Sequence, residues 1–146
     1  MSSTNELAGW LERHSETVRR ISRDPLDAER KLALAERNLE RAQRLLAAGD
    51  PDFALVAAES AMVNAADAVL STHGFRLRGK TGSHGARFAF PALPSAFREQ
   101  ANLIAAARKS RNVAMYDDPG RVSDSFANAV IQTAQQLTEA VRRTLR

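Results

Sequence analysis

The sequence contains no cysteine, and only 5% of its 146 residues are aromatic. Without thiols the chain has no disulfide framework and no thiolate metal site, and nothing in it points to an oxidising compartment. Five prolines and seven glycines leave long stretches free of helix breakers. Together with abundant alanine, the scarcity of aromatic residues favours closely packed helices over sheets.

Long apolar runs are also missing. The N-terminal stretch MSSTNELAGWLERHSETVRR lacks the apolar segment of a signal peptide, and we find no run approaching the roughly 18 apolar residues that cross a membrane. We therefore expect a soluble, cytoplasmic protein with no membrane partner. A hydrophobic fraction of 44% with 26% charged residues is globular, and the length predicts a single domain over residues 1–146.

The net charge of +4 is distributed unevenly along the chain. Between Ala68 and Tyr116 the net charge is +7, with Glu99 as the one acid, whereas the rest of the chain sums to −3. A positive field concentrated in one region attracts polyanions such as RNA or nucleotides. The alternative is a solvated basic loop without a ligand.

Apolar spacing and helix-end signals predict five helices and an all-α fold. Residues 1–24 form an accessory helix that begins near Asn5 and ends near Ser22, and residues 25–146 form a four-helix bundle. The bundle helices begin at four sites: Asp24–Pro25, Asp50–Pro51, Ser95, and Ser123 or Asp124. Short connections make consecutive helices antiparallel neighbours, so we expect an up-and-down bundle.

A glycine-rich basic segment, FRLRGKTGSHGARFAFPALPS, separates the third and fourth helices. Its glycines, prolines and serines predict a long loop over residues 75–94 rather than a helix, and irregular segments of this length are often functional. Lys80, His84 and Arg87 lie in it. Two interpretations of His84 stay open: it belongs to a site with Arg111, or it makes a hydrogen bond that orders the loop.

The fourth helix ends in the polar stretch RNVAMY. Arg111 lies seven positions after Ile104, about 20° away on a helical wheel, so its side chain continues the core-facing line. An inward arginine needs a partner, because an unpaired buried charge costs several kcal/mol. It either forms an internal ion pair with Asp67 or Glu59 of the third helix, or it meets a phosphate.

Tyr116 lies about 140° from Arg111 on a continuous α-helix. The two side chains converge only if the helix ends between them, which the following DDPG favours. In the phosphate interpretation Asn112 and Tyr116 complete the site around Arg111.

The stretch RNVAMY, the alanine-rich second and third helices and the loop STHGFRLRGKTGSHGARFAF together resemble the HEPN superfamily of small helical domains. The resemblance covers most of residues 31–146. It implies a metal-independent ribonuclease that acts as a homodimer, or a member that only binds RNA or nucleotides, without a cofactor. It also implies a toxin-antitoxin or defence pair, with an antitoxin or nucleotidyltransferase-like partner.

The superfamily signature is Arg, four to six residues and then His, commonly with Asn directly after the Arg. Arg111 and Asn112 match its first positions, and Tyr116 stands where the histidine is expected. A histidine exchanges protons near neutral pH because its reference pKa is about 6.5, whereas a tyrosine, near 10, is a poor base. Cleavage then needs another base, such as His84, or a water held by Asn112.

Three functions follow as hypotheses: an RNA- or nucleotide-binding protein with ribonuclease activity, a binding module without catalysis, and a structural adaptor in which Arg111 is internally paired. Tyr116 is alternatively a target for nucleotide transfer, as the resemblance implies. The predicted site comprises catalytic and nucleic-acid-binding residues and no metal ligand: Arg111, Asn112, Tyr116 and His84 in the first group, and Lys80, Arg87, Arg108 and Lys109 in the second.

Overall fold

The computed structural model describes residues 4–79 and 82–145 and is predominantly helical. Its elements are listed here in chain order: α1 Thr4–Arg13, β1 Val18–Arg20, α2 Pro25–Ala47, α3 Pro51–Thr72, β2 Phe75–Leu77, α4 Ser83–Phe88, α5 Ser95–Glu99, α6 Ala101–Asn112, a π-helix Val113–Asp117, and α7 Asp124–Leu145.

The predicted all-α bundle is confirmed, with α3 at its centre. This helix packs against α2, α6 and α7, and small residues such as Ala58, Ala61 and Ala65 are fully buried along it. Alanine allows neighbouring helices to approach closely, so one helix is contacted on several sides. Within the described residues, α3 is also the one helix with the length and hydropathy of a membrane span, but 67% of that window is buried, as in the core helix of a soluble protein.

Two predicted helix starts are confirmed by their caps. The Asp24 carboxylate accepts a hydrogen bond from the Leu26 amide at 3.0 Å, and Asp50 accepts one from the Phe53 amide at 3.2 Å. The proline after each aspartate occupies the first helical position, where its missing N–H costs nothing. These caps fix where α2 and α3 begin, and Gly49 at φ +82° makes the turn between them.

The predicted N-terminal helix is wrong beyond Arg13. The chain turns there, and Val18–Arg20 forms a strand that pairs antiparallel with Phe75–Leu77. Val18 and Phe75 are buried, and the β-branched valine suits a strand that has one face on the core. Trp10 anchors α1 instead: it is fully buried, and its indole N–H donates to the Ala86 carbonyl oxygen at 2.8 Å.

The predicted loop over residues 75–94 is also more ordered than expected. It begins with β2 and contains α4, whose Ala86 is fully buried against the rest of the protein. Tertiary packing therefore overrides the local glycine content. The predicted fourth helix starts at Ser95 as expected, but it is divided at Gln100 into α5 and α6.

Candidate functional site

Two arginines of α6 converge on one buried carboxylate of α3. Glu59 is only 2% exposed, and its Oε1 lies 3.0 Å from Arg108 Nη1 and 3.4 Å from Arg111 Nε. The side chains of Arg108 and Arg111 are 37% and 22% exposed. Of the two partners predicted for Arg111, the structure therefore selects Glu59, and Arg108 shares it.

Asp67, the other predicted partner, is occupied by Arg87. The Arg87 Nε donates to Asp67 Oδ1 at 2.7 Å, which joins α4 to α3 two turns beyond Glu59. Three guanidinium groups thus stand beside two carboxylates. We call Arg87, Arg108 and Arg111, with their partners Glu59 and Asp67 and with His84, the arginine cluster.

His84 lies within the electrostatic field of this cluster. Burial, followed by the positive charges of Arg108, Arg87 and Arg111, lowers the pKa of His84 to about 4, so the imidazole is neutral at pH 7. Its ring lies 4.7 Å from the Phe88 ring, measured between centroids. Both ring nitrogens are buried without a hydrogen-bond partner within the described part of the chain. An imidazole in this position is a neutral but covered base.

The α-helix ends at Asn112, between the two positions where the sequence required an end. The Arg111 guanidinium donates to the Asn112 side-chain oxygen at 3.4 Å, and the chain continues as the π-helix, closed by the Asp118 amide donating to the Val113 carbonyl at 2.8 Å. A π turn contains more residues than an α turn, and such turns are frequent at functional sites. Tyr116 on this turn is 72% exposed.

The predicted site residues therefore separate into two groups. The structure assembles His84, Arg87, Arg108 and Arg111, with Asn112 beside the last. Tyr116 makes no hydrogen bond or ring contact within residues 4–79 and 82–145, and the structure does not join it to Arg111.

Lys109 is exposed on another face of α6, where it and Arg121 line a cleft of about 500 Å³. Lys80 lies outside the described residues. Across the described ranges, no group of three histidine, aspartate or glutamate side chains is arranged to hold a metal ion.

The loop after the π-helix is fastened by a residue that the sequence did not single out. Asp52, in the first turn of α3, accepts hydrogen bonds from the amides of Gly120 at 2.6 Å and Val122 at 3.4 Å. Its separation of about seventy residues from these amides gives no sequence signal. This carboxylate fixes how the chain leaves the cluster and enters α7.

The sequence matches a known protein family over most of its length. The model of the HEPN domain family matches residues 28–144, which is most of the chain and includes every element of the arginine cluster. Neither the curated proteins nor the solved structures gave a match. At the level of the family this match indicates a function related to nucleotides or RNA. The chain belongs to the HEPN domain family.

Proposed function

We propose that this protein binds RNA or nucleotides through their phosphate groups at the arginine cluster. The observation that carries the proposal is the convergence of Arg108 and Arg111 on the single buried carboxylate of Glu59. A guanidinium has five N–H donors in a planar fork. A single oxygen of Glu59 contacts both arginines, so most N–H donors of the two guanidinium groups stay available for the oxygens of a phosphate.

The charge of the cluster supports an anionic ligand. Three arginines exceed two carboxylates, and burial holds His84 neutral rather than adding a fourth positive charge. A phosphate would remove the net positive charge that depresses protonation of His84. Binding of the ligand should therefore raise the pKa of this histidine.

The geometry supports binding better than cleavage. The side chain that the resemblance assigns to the position of the family histidine is the exposed phenol of Tyr116, and the imidazole of His84 has both nitrogens covered. A base must reach the 2′-hydroxyl to within hydrogen-bond distance. In this conformation neither group presents a nitrogen base to a ligand on the surface.

Ribonuclease activity is the second candidate, and the proximity of His84 to Arg108 and Arg111 favours it, provided that a bound phosphate raises the lowered pKa of His84 towards neutrality. In this function a small movement of α4 uncovers the ring, His84 accepts the proton of the 2′-hydroxyl as that oxygen attacks the phosphorus, and Arg111 stabilises the charge of the phosphorane. The 5′-oxygen then leaves with a proton from water. Incubation of wild-type protein and His84→Ala with RNA tests this step; equal cleavage by both would refute the assignment of the base.

Binding is tested by titrating the protein with a labelled 2′-O-methyl RNA oligonucleotide and, separately, with AMP. The oligonucleotide has no free 2′-hydroxyl and AMP has no internucleotide bond, so attack by a 2′-hydroxyl cleaves neither ligand. We expect Arg111→Gln to raise Kd about tenfold, because loss of a charged hydrogen bond costs about 1.5–3 kcal/mol and 1.4 kcal/mol is a factor of ten.

The matched control is Arg142→Gln, which removes an arginine that is ion-paired with Glu36 on the other side of the bundle. It should leave Kd unchanged. Equal Kd values for Arg111→Gln and wild type would refute a role for Arg111 in binding, and a wild-type Kd for the double variant Arg108→Gln/Arg111→Gln would refute the site.

The predicted homodimer and the antitoxin or nucleotidyltransferase-like partner remain proposals from family resemblance, and the cytoplasmic location remains a proposal from the composition of the sequence. So does the division into an accessory segment over residues 1–24 and a bundle over 25–146. Sedimentation of the purified protein measures the first, and co-purification with the product of an adjacent gene measures the partner. A monomer at all concentrations would contradict the dimer.

A further inference from the structure

A two-stranded ribbon lies beside the bundle. Val18 pairs with Leu77, Arg19 with Arg76, and Arg20 with Phe75. Backbone hydrogen bonds extend the pairing by one residue at each end, so the ribbon runs from residues 17–21 against 74–78. We call these ten residues the arginine ribbon.

The two faces of the ribbon differ in chemistry. The inner face carries Val18 and Phe75, which are 8% and 4% exposed and belong to the core. Successive residues of a strand point to opposite faces, and directly paired residues share a face. The outer face therefore carries Arg19 and Arg76 side by side, with Arg78 two positions further along the same strand. All three arginines are exposed.

This arrangement leaves like charges unbalanced. Arginines directly opposite each other in a sheet destabilise it, because their Cβ atoms are only about 4.5–5.5 Å apart. Within the part of the chain that the structure describes, Arg19, Arg76 and Arg78 form no ion pair. The face is therefore built of three adjacent cations without a counter-charge bonded to any of them.

The carboxylate of Asp27 lies within electrostatic range of Arg76, and it is already engaged. Hydrogen bonds from Ser71 and Lys31, and more weakly the charge of Arg76, lower the pKa of Asp27. Ser71 donates to Asp27 at 2.7 Å, and Lys31 donates at 3.0 Å. Because Asp27 is held by α2 and α3, it does not neutralise the outer face.

The ribbon is joined to the arginine cluster. The Ser83 hydroxyl donates to the Arg78 carbonyl oxygen, which ties the end of the ribbon to the first residue of α4. The same short helix carries His84 and Arg87. Both groups of arginines are therefore connected through α4, the ribbon by the Ser83 hydrogen bond and the cluster by Arg87.

We propose that the outer face of the arginine ribbon binds the phosphate backbone of an RNA strand that also occupies the arginine cluster. This inference rests on the proposed function for the identity of the ligand. The face suits nucleic acid rather than a protein partner. Protein interfaces contain an apolar centre, whereas nucleic-acid interfaces are polar and strongly positive. No large exposed hydrophobic side chain lies among the ribbon residues, all of which the structure describes.

The test compares two double variants of equal charge: Arg19→Gln/Arg76→Gln on the ribbon, and Arg37→Gln/Arg44→Gln on α2, where both arginines are exposed and unpaired in the described chain. Affinity for a single-stranded 2′-O-methyl RNA oligonucleotide is measured over a range of salt concentrations. Each phosphate contact contributes about 0.7 to the magnitude of the slope of log K against log salt concentration. We therefore expect the slope of the ribbon variant to be smaller in magnitude by about 1.4. The α2 variant should leave it unchanged.

AMP serves as the second ligand, because it carries a single phosphate and cannot place separate phosphates on the cluster and on the ribbon. Its affinity should be the same in the ribbon variant and in wild type. Arg19→Lys/Arg76→Lys should keep the wild-type slope, and thermal unfolding of Arg19→Gln/Arg76→Gln should show a Tm no lower than wild type, since repulsion is relieved.

If wild type binds RNA and the ribbon variant has the same salt slope, the proposal that the ribbon binds RNA is overturned. The proposed function would stand. Wild-type protein that binds neither AMP nor the oligonucleotide would overturn both. Ribbon-dependent binding of polyglutamate, without ribbon-dependent binding of RNA, would overturn the proposal in favour of an acidic protein partner.

Discussion

The shared carboxylate of Glu59 makes a quantitative prediction about the two arginines that contact it. We consider Arg108→Met and Arg111→Met, singly and together. Each single variant leaves Glu59 with one guanidinium, at 3.0 or 3.4 Å. Because both arginines are partly exposed and solvent screens their charge, we expect each single substitution to lower the free energy of unfolding by about 1 kcal/mol.

The double variant behaves differently, since it leaves a carboxylate that is 2% exposed without any partner. An uncompensated buried charge costs about 3–5 kcal/mol. The loss in free energy of unfolding in the double variant should therefore exceed the sum of the losses in the two single variants by about 2 kcal/mol. Neighbouring groups in one network can reach a coupling of this size. Adding Glu59→Gln to the double variant should restore most of this loss, because the amide carries no charge.

Urea unfolding followed by circular dichroism measures these free energies, with the slope m checked for each variant. Arg37→Met/Arg44→Met is the control, and its effect should lie within about 0.5 kcal/mol of zero. Additivity of the two cluster substitutions within about 0.5 kcal/mol, or failure of Glu59→Gln to restore stability, would refute the shared ion pair.

Three further predictions concern other parts of the molecule. The pKa of His84 is lowered to about 4, so the unfolded chain binds the proton first as pH falls. Above about pH 6.5 this difference in pKa has no effect on the free energy of unfolding. Between about pH 6.5 and 4 the free energy of unfolding falls by about 1–2 kcal/mol, after allowance for a half-buried ring. Urea unfolding of wild type and His84→Asn should diverge with pH in this window, and parallel curves would contradict the prediction. Asp52→Ala removes the acceptor of the Gly120 amide, and hydrogen exchange of that amide should accelerate while amides of α7 keep their protection. Unchanged exchange would exclude a stabilising role for the hydrogen bonds of Asp52. Trp10→Phe leaves the Ala86 carbonyl without its donor, which should cost about 1–3 kcal/mol in urea unfolding, whereas a loss below about 0.5 kcal/mol would show that α1 contributes little.

Local chemistry explains which helices the sequence predicted well. Asp24 and Asp50, each followed by proline, are capping signals that act within one turn, and the structure begins α2 and α3 at those prolines. The stripe of α7 follows from helical spacing alone. The missed β1 needs a partner more than fifty residues away, and a three-residue strand has no period long enough to distinguish it from the end of a helix.

Only part of the site was predicted, because helical spacing is a local signal whereas the pairing of side chains between helices is not. The helical wheel directed Arg111 towards the core, and the choice between two acidic partners on α3 was correctly limited to Glu59 and Asp67. Which arginine pairs with which acid depends on where α4 lies, and the glycine-rich sequence around it predicted no helix. The proximity of His84 to Arg108 follows from that same placement.

By itself, the sequence determined the all-α class, the start of α2, α3, α5 and α7, the family and the excess of positive charge around α6. These properties depend on neighbouring residues, helical period and composition. Only the tertiary structure decided that Arg19 stands opposite Arg76, that Glu59 is shared by two arginines, and that Tyr116 projects to the exterior. Those juxtapositions depend on packing between segments that are distant in the sequence, and such packing leaves no local pattern in a single sequence.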